Sequence, residues 1–363
     1  MLVSIDWIKD YVKLDKWPED KEFCDRMIMS GSNIETISYL GEGIENVKIA
    51  KVLSIEEHPD ADKLVVCQMD LGKLGKLQIV TGASNLYVGA YVPVAIDGSV
   101  VPGPLHGQPK QEGGVKISAG ELRGVKSDGM MCGPQELGIA DKCAPLISND
   151  GIWLLAGDYE DKLGENIDEV LGLKDGVVDF EITPNRPDCL SHIGIARELS
   201  AYYGKELKYP ETEIKSEISE KTSDNVKVSI EDSNLSRRYV TRILKNVTVK
   251  ESPKWLKERI EAVGLRSINN IVDVSNFILM EMNHPNHVFD LDKIEGNEIK
   301  VKSAVKGDKL VTLDEQEREL EDGDIVICDS KKILALGGVM GGLDSEVTDN
   351  TKNILLDFLQ LDL

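Results

Sequence analysis

No C-x-x-C pair occurs among the six cysteines of this 363-residue chain, at positions 24, 67, 132, 143, 189 and 328. Several lie inside apolar runs such as LVVCQM and DIVICD. That distribution excludes a disulfide framework or zinc knuckle and points to reduced, buried thiols. Long apolar runs are also missing: nowhere do roughly eighteen such residues follow one another, the length a membrane-crossing helix needs. The start, MLVSIDWIKDYVKL, has no basic leader ahead of an apolar stretch. The expectation is a soluble, unexported, cytoplasmic chain with no membrane partner, in which the Asn246-Val-Thr sequon stays unmodified. Positive charge is short as well. A formal net charge of -22 repels polyanions at long range and argues against a protein that coats nucleic acid without specificity. Residues 41–153 carry 10 Lys+Arg against 14 Asp+Glu, and residues 154–363 carry 27 against 42. The first of these segments is the less hostile to a phosphate backbone.

What is present reads as several domains, because 363 residues exceed what one core usually organises. Residues 1–40 look helical. SIDWIKDYVKL spaces Ile5, Ile8 and Val12 at helical intervals, and PEDKEFCDRMIMSG opens on Pro and acids and closes on Gly31. From about residue 44 the apolar period becomes two, in NVKIAKVLSIEEH, KLVVCQMDLG, KLQIVTGAS and YVPVAIDGSVV, the pattern of a small closed β-barrel over 41–153. GVVDFEITPNRPDCLSHIGIARELSAYYG reads as a strand, a turn and a helix capped near Asp188 or Ser191 that stops at Gly204. The barrel is therefore expected as an insertion in a small domain made of 1–40 and 154–209. Residues 210–225 are polar and acidic, a linker. Residues 226–363 alternate strands with two helices, SPKWLKERIEAVG and INNIVDVSNFILMEMN, in mixed α/β architecture.

One string carries the chemical question. HPNHVFDLDKI places His284 and His287 three apart, with Asp290 and Asp292 after them, in a chain that has only five histidines. Spacing suits a zinc-sized ion. Pro285 between the histidines argues against a shared helix face, and a hydrolytic pocket or ordinary loop packing are the other readings.

Three longer strings carry a family resemblance. HPDADKLVVCQMDLG (58–72) with GELRGVKSDGMMCG (120–133) resembles the oligonucleotide-binding-fold (OB-fold) tRNA-binding module of several synthetases. DFEITPNRPDCLSHIGIARELSAYYG (179–204) resembles the segment that follows this module in the β subunit of bacterial phenylalanine–tRNA ligases. GLRSINNIVDVSNFILMEMNHPNHVFDLDKI (264–294) with LALGGVMGGLDSEVTDNTKNILL (334–356) is similar to the editing module of the same subunit. The resemblance implies a multidomain α+β chain: an OB-fold barrel inserted in a small α/β domain, then an editing domain over 226–363 whose later segments lie outside this chain. It implies an N-terminal part of a β subunit that pairs with an α subunit, binds tRNA-Phe, and assembles as two α and two β. The α subunit would carry amino-acid activation with ATP and Mg2+, and this part no metal or cofactor of its own. The β part would hydrolyse mischarged tyrosyl-tRNA. A free-standing trans-editing deacylase and a non-catalytic tRNA-binding or assembly module are the alternatives.

Carried over position by position, the resemblance makes His287, Arg266 and Asn276 the catalytic group of the pocket. Ser275, Gly338, Gly341 and Asp357 become its substrate-binding lining. Ser275 stands where the family commonly has Thr, and Asp357 where it commonly has Glu. Asp357 would accept the tyrosine hydroxyl. Lys63, Arg123, Lys126 and Ser127 are the expected tRNA contacts of the barrel, which offers only Tyr87, Tyr91 and Trp153 for stacking against bases.

Overall fold

GVVDFE forms the strand Gly176–Glu181, and antiparallel partners from the start of the chain, Leu2–Ser4 and Asn33–Tyr39, flank it on both sides. Val178 and Phe180 are fully buried. The computed structural model describes residues 1–109, 111–139, 151–155, 157–231 and 233–361, and Cys143 lies outside them. Mixed α+β architecture with several sheets and few helices is observed, and no described helix is long and apolar enough to cross a membrane. The five described cysteines are unpaired and four are buried. Burial pushes the Cys67 thiol up to about 11 and the Cys132 thiol to about 12.

The helical reading of residues 1–40 holds for Asp20–Met29 and fails on both sides of it. The first helix is one turn, Ile5–Ile8, and Asn33–Tyr39 is a strand. Gly31, at φ 94°, stops the helix. The β-branched NIETISY that follows gains more from pairing with Gly176–Glu181 than its helical neighbours would give it.

The chain divides into two compact units. One comprises Met1–Trp7, Trp17–Glu181 and Glu261–Arg266, the other Ile8–Lys16, Ile182–Ile260 and Ser267–Leu363. Besides the three-stranded sheet, the first unit holds a six-stranded antiparallel sheet. Its path runs Gly129–Met131, Tyr91–Val101, Glu45–Glu57, Val65–Asp70, Lys76–Thr81, with Val115–Lys116 pairing onto Tyr91–Val101. Val47 and Ile49 of its longest strand feed one apolar cluster, whereas Ala50 and Val52 feed another. The ladder does not close into the expected barrel. Its end strands meet at Asp128, whose N–H donates to Gln78 O (2.8 Å) and whose carboxylate accepts the Gln78 N–H (3.2 Å), and at Ser127, between Val80 and Gly129. The intervening hairpin, Gly120–Leu122 with Val125–Ser127, forms its own two-stranded ladder and is tied to Lys76–Thr81 by Gln78 Nε2 to Lys126 O (2.8 Å) and Val80 N–H to Ser127 Oγ (3.1 Å).

In the second unit the first two strands of a five-stranded sheet are parallel and the rest antiparallel. The order is Lys227–Ile230, Glu298–Ser303, Ile325–Cys328, Ile333–Leu336, Met340–Gly341. A three-stranded antiparallel sheet, Ser236–Lys245, Asn353–Leu361, His287–Asp290, shares its core, with Ile299, Val301 and Ile327 from one sheet meeting Tyr239, Phe289 and Leu355 from the other. The helix His192–Tyr203 is capped by Ser191, whose hydroxyl accepts the Gly194 N–H, and ends at Gly204 in the left-handed region.

The helix Asn270–Met282 starts at Asn269, whose side chain accepts the Ile271 and Val272 N–H groups. Its fully buried Asp273 ties both approaches together by accepting from Ser252 Oγ and Ser267 Oγ (2.5 Å each) and from the Ile268 N–H (2.8 Å). Ser252, just before the helix Lys254–Ala262, gives its hydroxyl to Asp273. Replacing Asp273 by Ala leaves three donors without an acceptor. The expected loss is about 3 kcal/mol from the second unit, read as a lower urea midpoint for that unit's transition.

Candidate functional site

Alternation along the three-stranded sheet of the second unit decides which side chains meet. His287 lies directly opposite Asp357, which in turn lies opposite Thr241. Tyr239, two residues from Thr241, is the diagonal neighbour of Asp357 on the same face, within reach of a long side chain. Phe289 and Leu355, on that face too, are completely buried. The result is a sheet face on which one imidazole, one carboxylate and one phenol gather beside Thr241 and the apolar Phe289 and Leu355. His287 packs edge-on against Phe289, with ring centroids 4.5 Å apart.

Among the described residues, three polar atoms here are buried with no hydrogen-bond partner: His287 Nε2, Asp357 Oδ1 and the Tyr239 hydroxyl. Such orphans are rare, since each gives up hydration without compensation. Burial lowers His287 to a pKa of about 4, so its ring is neutral at pH 7. Burial pushes the Asp357 carboxyl up to about 6, against smaller opposing contributions from the Tyr239 hydroxyl and backbone N–H groups. Tyr239 is held well above the usual phenol range, first by burial and then by the adjacent carboxylate. The hydroxyl and the carboxylate are close enough to shift each other through charge and side-chain hydrogen bonding, yet among the described residues neither the hydroxyl nor Asp357 Oδ1 has a partner of normal hydrogen-bond geometry.

Gly341 fits where a side chain would not. A Cβ there would stand 2.4 Å from His287 Cε1 and 2.7 Å from Nε2, so glycine is what lets the strand Met340–Gly341 pass the imidazole. Ser275 approaches from the helix. Its hydroxyl reaches Asn286 O (3.4 Å), and Asn286 Nδ2 donates to Ser275 O (3.1 Å) and His284 O (3.2 Å), which fixes the turn leading into His287. Asn276 follows on the same helix, half-buried. Gly338 sits instead in an exposed turn at φ 72°. Arg266 belongs to the first unit, so the cluster described here is built by the second unit alone.

The residues of the metal question separate. His284 stacks on Phe358 at 5.2 Å, and Phe358 and Asp357 alternate to opposite faces of their strand. The two imidazoles therefore lie on opposite sides of the sheet. Asp290 accepts from the Asp292 N–H (3.0 Å) and Thr351 Oγ1 (2.6 Å), and Asp292 from Asn353. Among the described residues the ligand-bearing atoms that cluster are those of Asp188, Cys189 and Glu198, and the Arg186 guanidinium contacts all three.

In the first unit, Lys63 and Arg123 are exposed. His58 ties their loops together: Nδ1 accepts the Asp60 N–H (3.1 Å), so Nε2 carries the proton that bonds Leu122 O (3.1 Å). Lys126 pairs with Asp128 at 2.6 Å. Ser127 is a correction to the expected phosphate contacts. It is buried, its hydroxyl accepting the Val80 N–H (3.1 Å) and donating to Gly129 O (3.0 Å), so it holds the hairpin and has no free face for a phosphate. Of the three aromatics, Tyr87 is exposed, whereas the Tyr91 hydroxyl is taken up by Asp158 and Glu160. Sequence reasoning missed Tyr239. Its signal was the alternation in RRYVTRILK, which puts a tyrosine on the core face with Thr241 and Ile243, where its hydroxyl needs a partner.

Comparisons with known proteins fall along the same division. A sequence family described as "Putative tRNA binding domain" matches residues 47–151, and one described as "B3/4 domain" matches residues 235–362. The phenylalanine–tRNA ligase β subunit of Clostridium acetobutylicum is 45% identical over 365 aligned residues, covering 100% of this chain and 43% of its own length. That of Clostridium tetani is 43% identical over 362, again with 100% and 43% covered. The chain thus spans less than half the length of these relatives. Among solved structures, an N-terminal fragment of the phenylalanyl-tRNA synthetase β subunit from Pyrococcus horikoshii aligns with 52% of this chain and 57% of its own. It does so at 20% identity and a TM-score of 0.31, an overlap too low to bear on the fold.

Two outcomes follow for the cluster. Gly341→Ala forces His287 out of its position and is expected to cost about 1–3 kcal/mol, measured by chemical denaturation, together with a change in the His287 ring resonances. Asp357, raised from 3.8 to about 6, keeps its proton in the folded chain where the unfolded chain has lost it. Its contribution to stability is therefore fullest near pH 4 and declines as pH rises through 6. Asp357→Asn removes that decline, so the variant gains up to roughly 3 kcal/mol on wild type between pH 4 and pH 8, read from melting curves across that range.

Proposed function

This chain is a relative of the phenylalanine–tRNA ligase β subunits, and from that premise we propose that it is an N-terminal part of such a subunit whose second unit hydrolyses mischarged tyrosyl-tRNA. In this reading residues 41–153 are an OB-fold tRNA-binding domain inserted in a small domain made of 1–40 and 154–209, 210–225 is the linker, and 226–363 is the editing domain. The partners are an α subunit, in a complex of two α and two β, and tRNA-Phe. ATP and Mg2+ belong to charging by the α subunit, and no residue of this chain is assigned to either. The surroundings are cytoplasmic.

Editing answers a limit of selection. A hydrophobic pocket shaped for a phenyl ring rejects the same ring bearing a hydroxyl by only about a hundredfold, whereas a site built to bond that hydroxyl rejects the ligand lacking it far more strongly. The observation that carries the proposal is the buried trio of unpartnered atoms on His287, Asp357 and Tyr239, because a site awaiting a polar ligand has to leave such atoms open. Asp357 Oδ1 is the acceptor for a phenol. His287, with a pKa near 4, is too weak a base at neutral pH to lead proton abstraction. Its role is to hold the attacking water or the terminal ribose by hydrogen bonding. Ser275 and Gly341 frame the imidazole, and in this reading Asn276 and Gly338 complete the lining. Lys63, Arg123 and Lys126 offer the tRNA backbone its cations.

The test is deacylation. Tyrosylated tRNA-Phe is incubated with the chain, with His287→Ala and with buffer. The proposal expects hydrolysis above buffer that falls by about a hundredfold or more in the variant. Equal survival of the ester in all three would end it.

A further inference from the structure

The protein already holds one phenol beside the carboxylate that is proposed to receive another. Tyr239 is 9% exposed, its ring packed in the core with Phe289 and Leu355. Its strand is pinned at the start by Ser236, whose hydroxyl donates to Gln360 O of the neighbouring strand at 2.9 Å. A tyrosine so placed serves the core equally well as phenylalanine. The hydroxyl adds nothing to packing, and it is buried without a partner. A buried hydroxyl left open beside an equally open carboxylate oxygen offers one donor and one acceptor on the same sheet face.

A bound phenol matches that pair, because its oxygen accepts one hydrogen bond and its proton makes another. Resting on the reading that Asp357 recognises a phenol, we infer that Tyr239 is a specificity-determining residue that donates its hydroxyl proton in a hydrogen bond to the oxygen of the bound 4-hydroxyphenyl group, whose own proton is donated to Asp357 Oδ1. No covalent step is involved. A hydroxyphenyl ligand then satisfies both orphans at once, and a phenyl ligand buries both. Discrimination thus comes from two unpaired groups instead of one. The coupling of the two side chains agrees with this arrangement, since the Tyr239 hydroxyl favours the ionised carboxylate and the carboxylate favours the protonated phenol.

The experiment measures binding of L-tyrosinamide and L-phenylalaninamide to the whole chain by NMR titration, for wild type, Tyr239→Phe and Asp357→Asn. Wild type is expected to prefer tyrosinamide. Tyr239→Phe is expected to cut that preference about tenfold, the value of roughly one buried hydrogen bond, with phenylalaninamide binding unchanged. The same variant is expected to raise the Asp357 titration midpoint, followed by carboxyl carbon shifts, because the hydroxyl that favoured the anion is gone. An unchanged preference in Tyr239→Phe, with Asp357→Asn abolishing it, overturns the role of Tyr239 and leaves the phenol reading standing. Equal weakening of both ligands in Tyr239→Phe also overturns it, as the mark of a packing role. No preference in wild type overturns the phenol reading itself, and the inference with it.

Discussion

The strand Asn353–Leu361 runs between Ser236–Lys245 and His287–Asp290, and that central place is what assembles the cluster. Both neighbours hydrogen-bond to it, so its register sets theirs. A one-residue slip of any of the three would turn its polar side chain to the opposite face. With the register as it is, Asp357 meets His287 across one ladder and Tyr239 diagonally across the other. Gly341 then closes over the imidazole from the neighbouring five-stranded sheet.

Carboxylates in the second unit show what separates structure from function. Asp273 is fully buried and meets two hydroxyls and a backbone N–H. Asp290 is buried and meets a backbone N–H and Thr351. Both are satisfied, and each anchors a loop. Asp357 is buried to the same degree and keeps an oxygen open. A fold gains nothing from that arrangement, because an open buried acceptor costs more than an apolar replacement would. The surrounding core of Phe289, Leu355, Ile299 and Val301 offsets the loss. Local rules broken in an otherwise consistent core are where function is expected.

Much of the fold was legible in the sequence because local chemistry wrote it. Ser191 and Gly204 cap a helix from the inside of their own segment, and the alternating runs after residue 226 became strands because both their faces were already sorted. Asn33–Tyr39 was not legible as a strand, since its partner Gly176–Glu181 is remote and only pairing decides it. Closure of the first unit's sheet was over-read, because alternation specifies two-faced strands and says nothing about whether the end strands find each other. Ser127 looked like a surface hydroxyl for lack of any signal that Val80 and Gly129 would enclose it. At the site, His287 stood out for its rarity, but Asp357 was identified only through family resemblance. Tyr239 passed as core, because a tyrosine whose hydroxyl lacks a partner looks the same in sequence as one whose hydroxyl has one.

The most direct measurement is a crystal structure of the chain with 3'-deoxy-3'-(L-tyrosylamino)adenosine, a non-hydrolysable mimic of the tRNA terminus. The account predicts the phenol oxygen within hydrogen-bond distance of Asp357 Oδ1, with the adenosine end on the side of His287. Side-chain density filling the space between Asp357, Tyr239 and His287, or a ligand bound elsewhere while these atoms stay shut away, would contradict it.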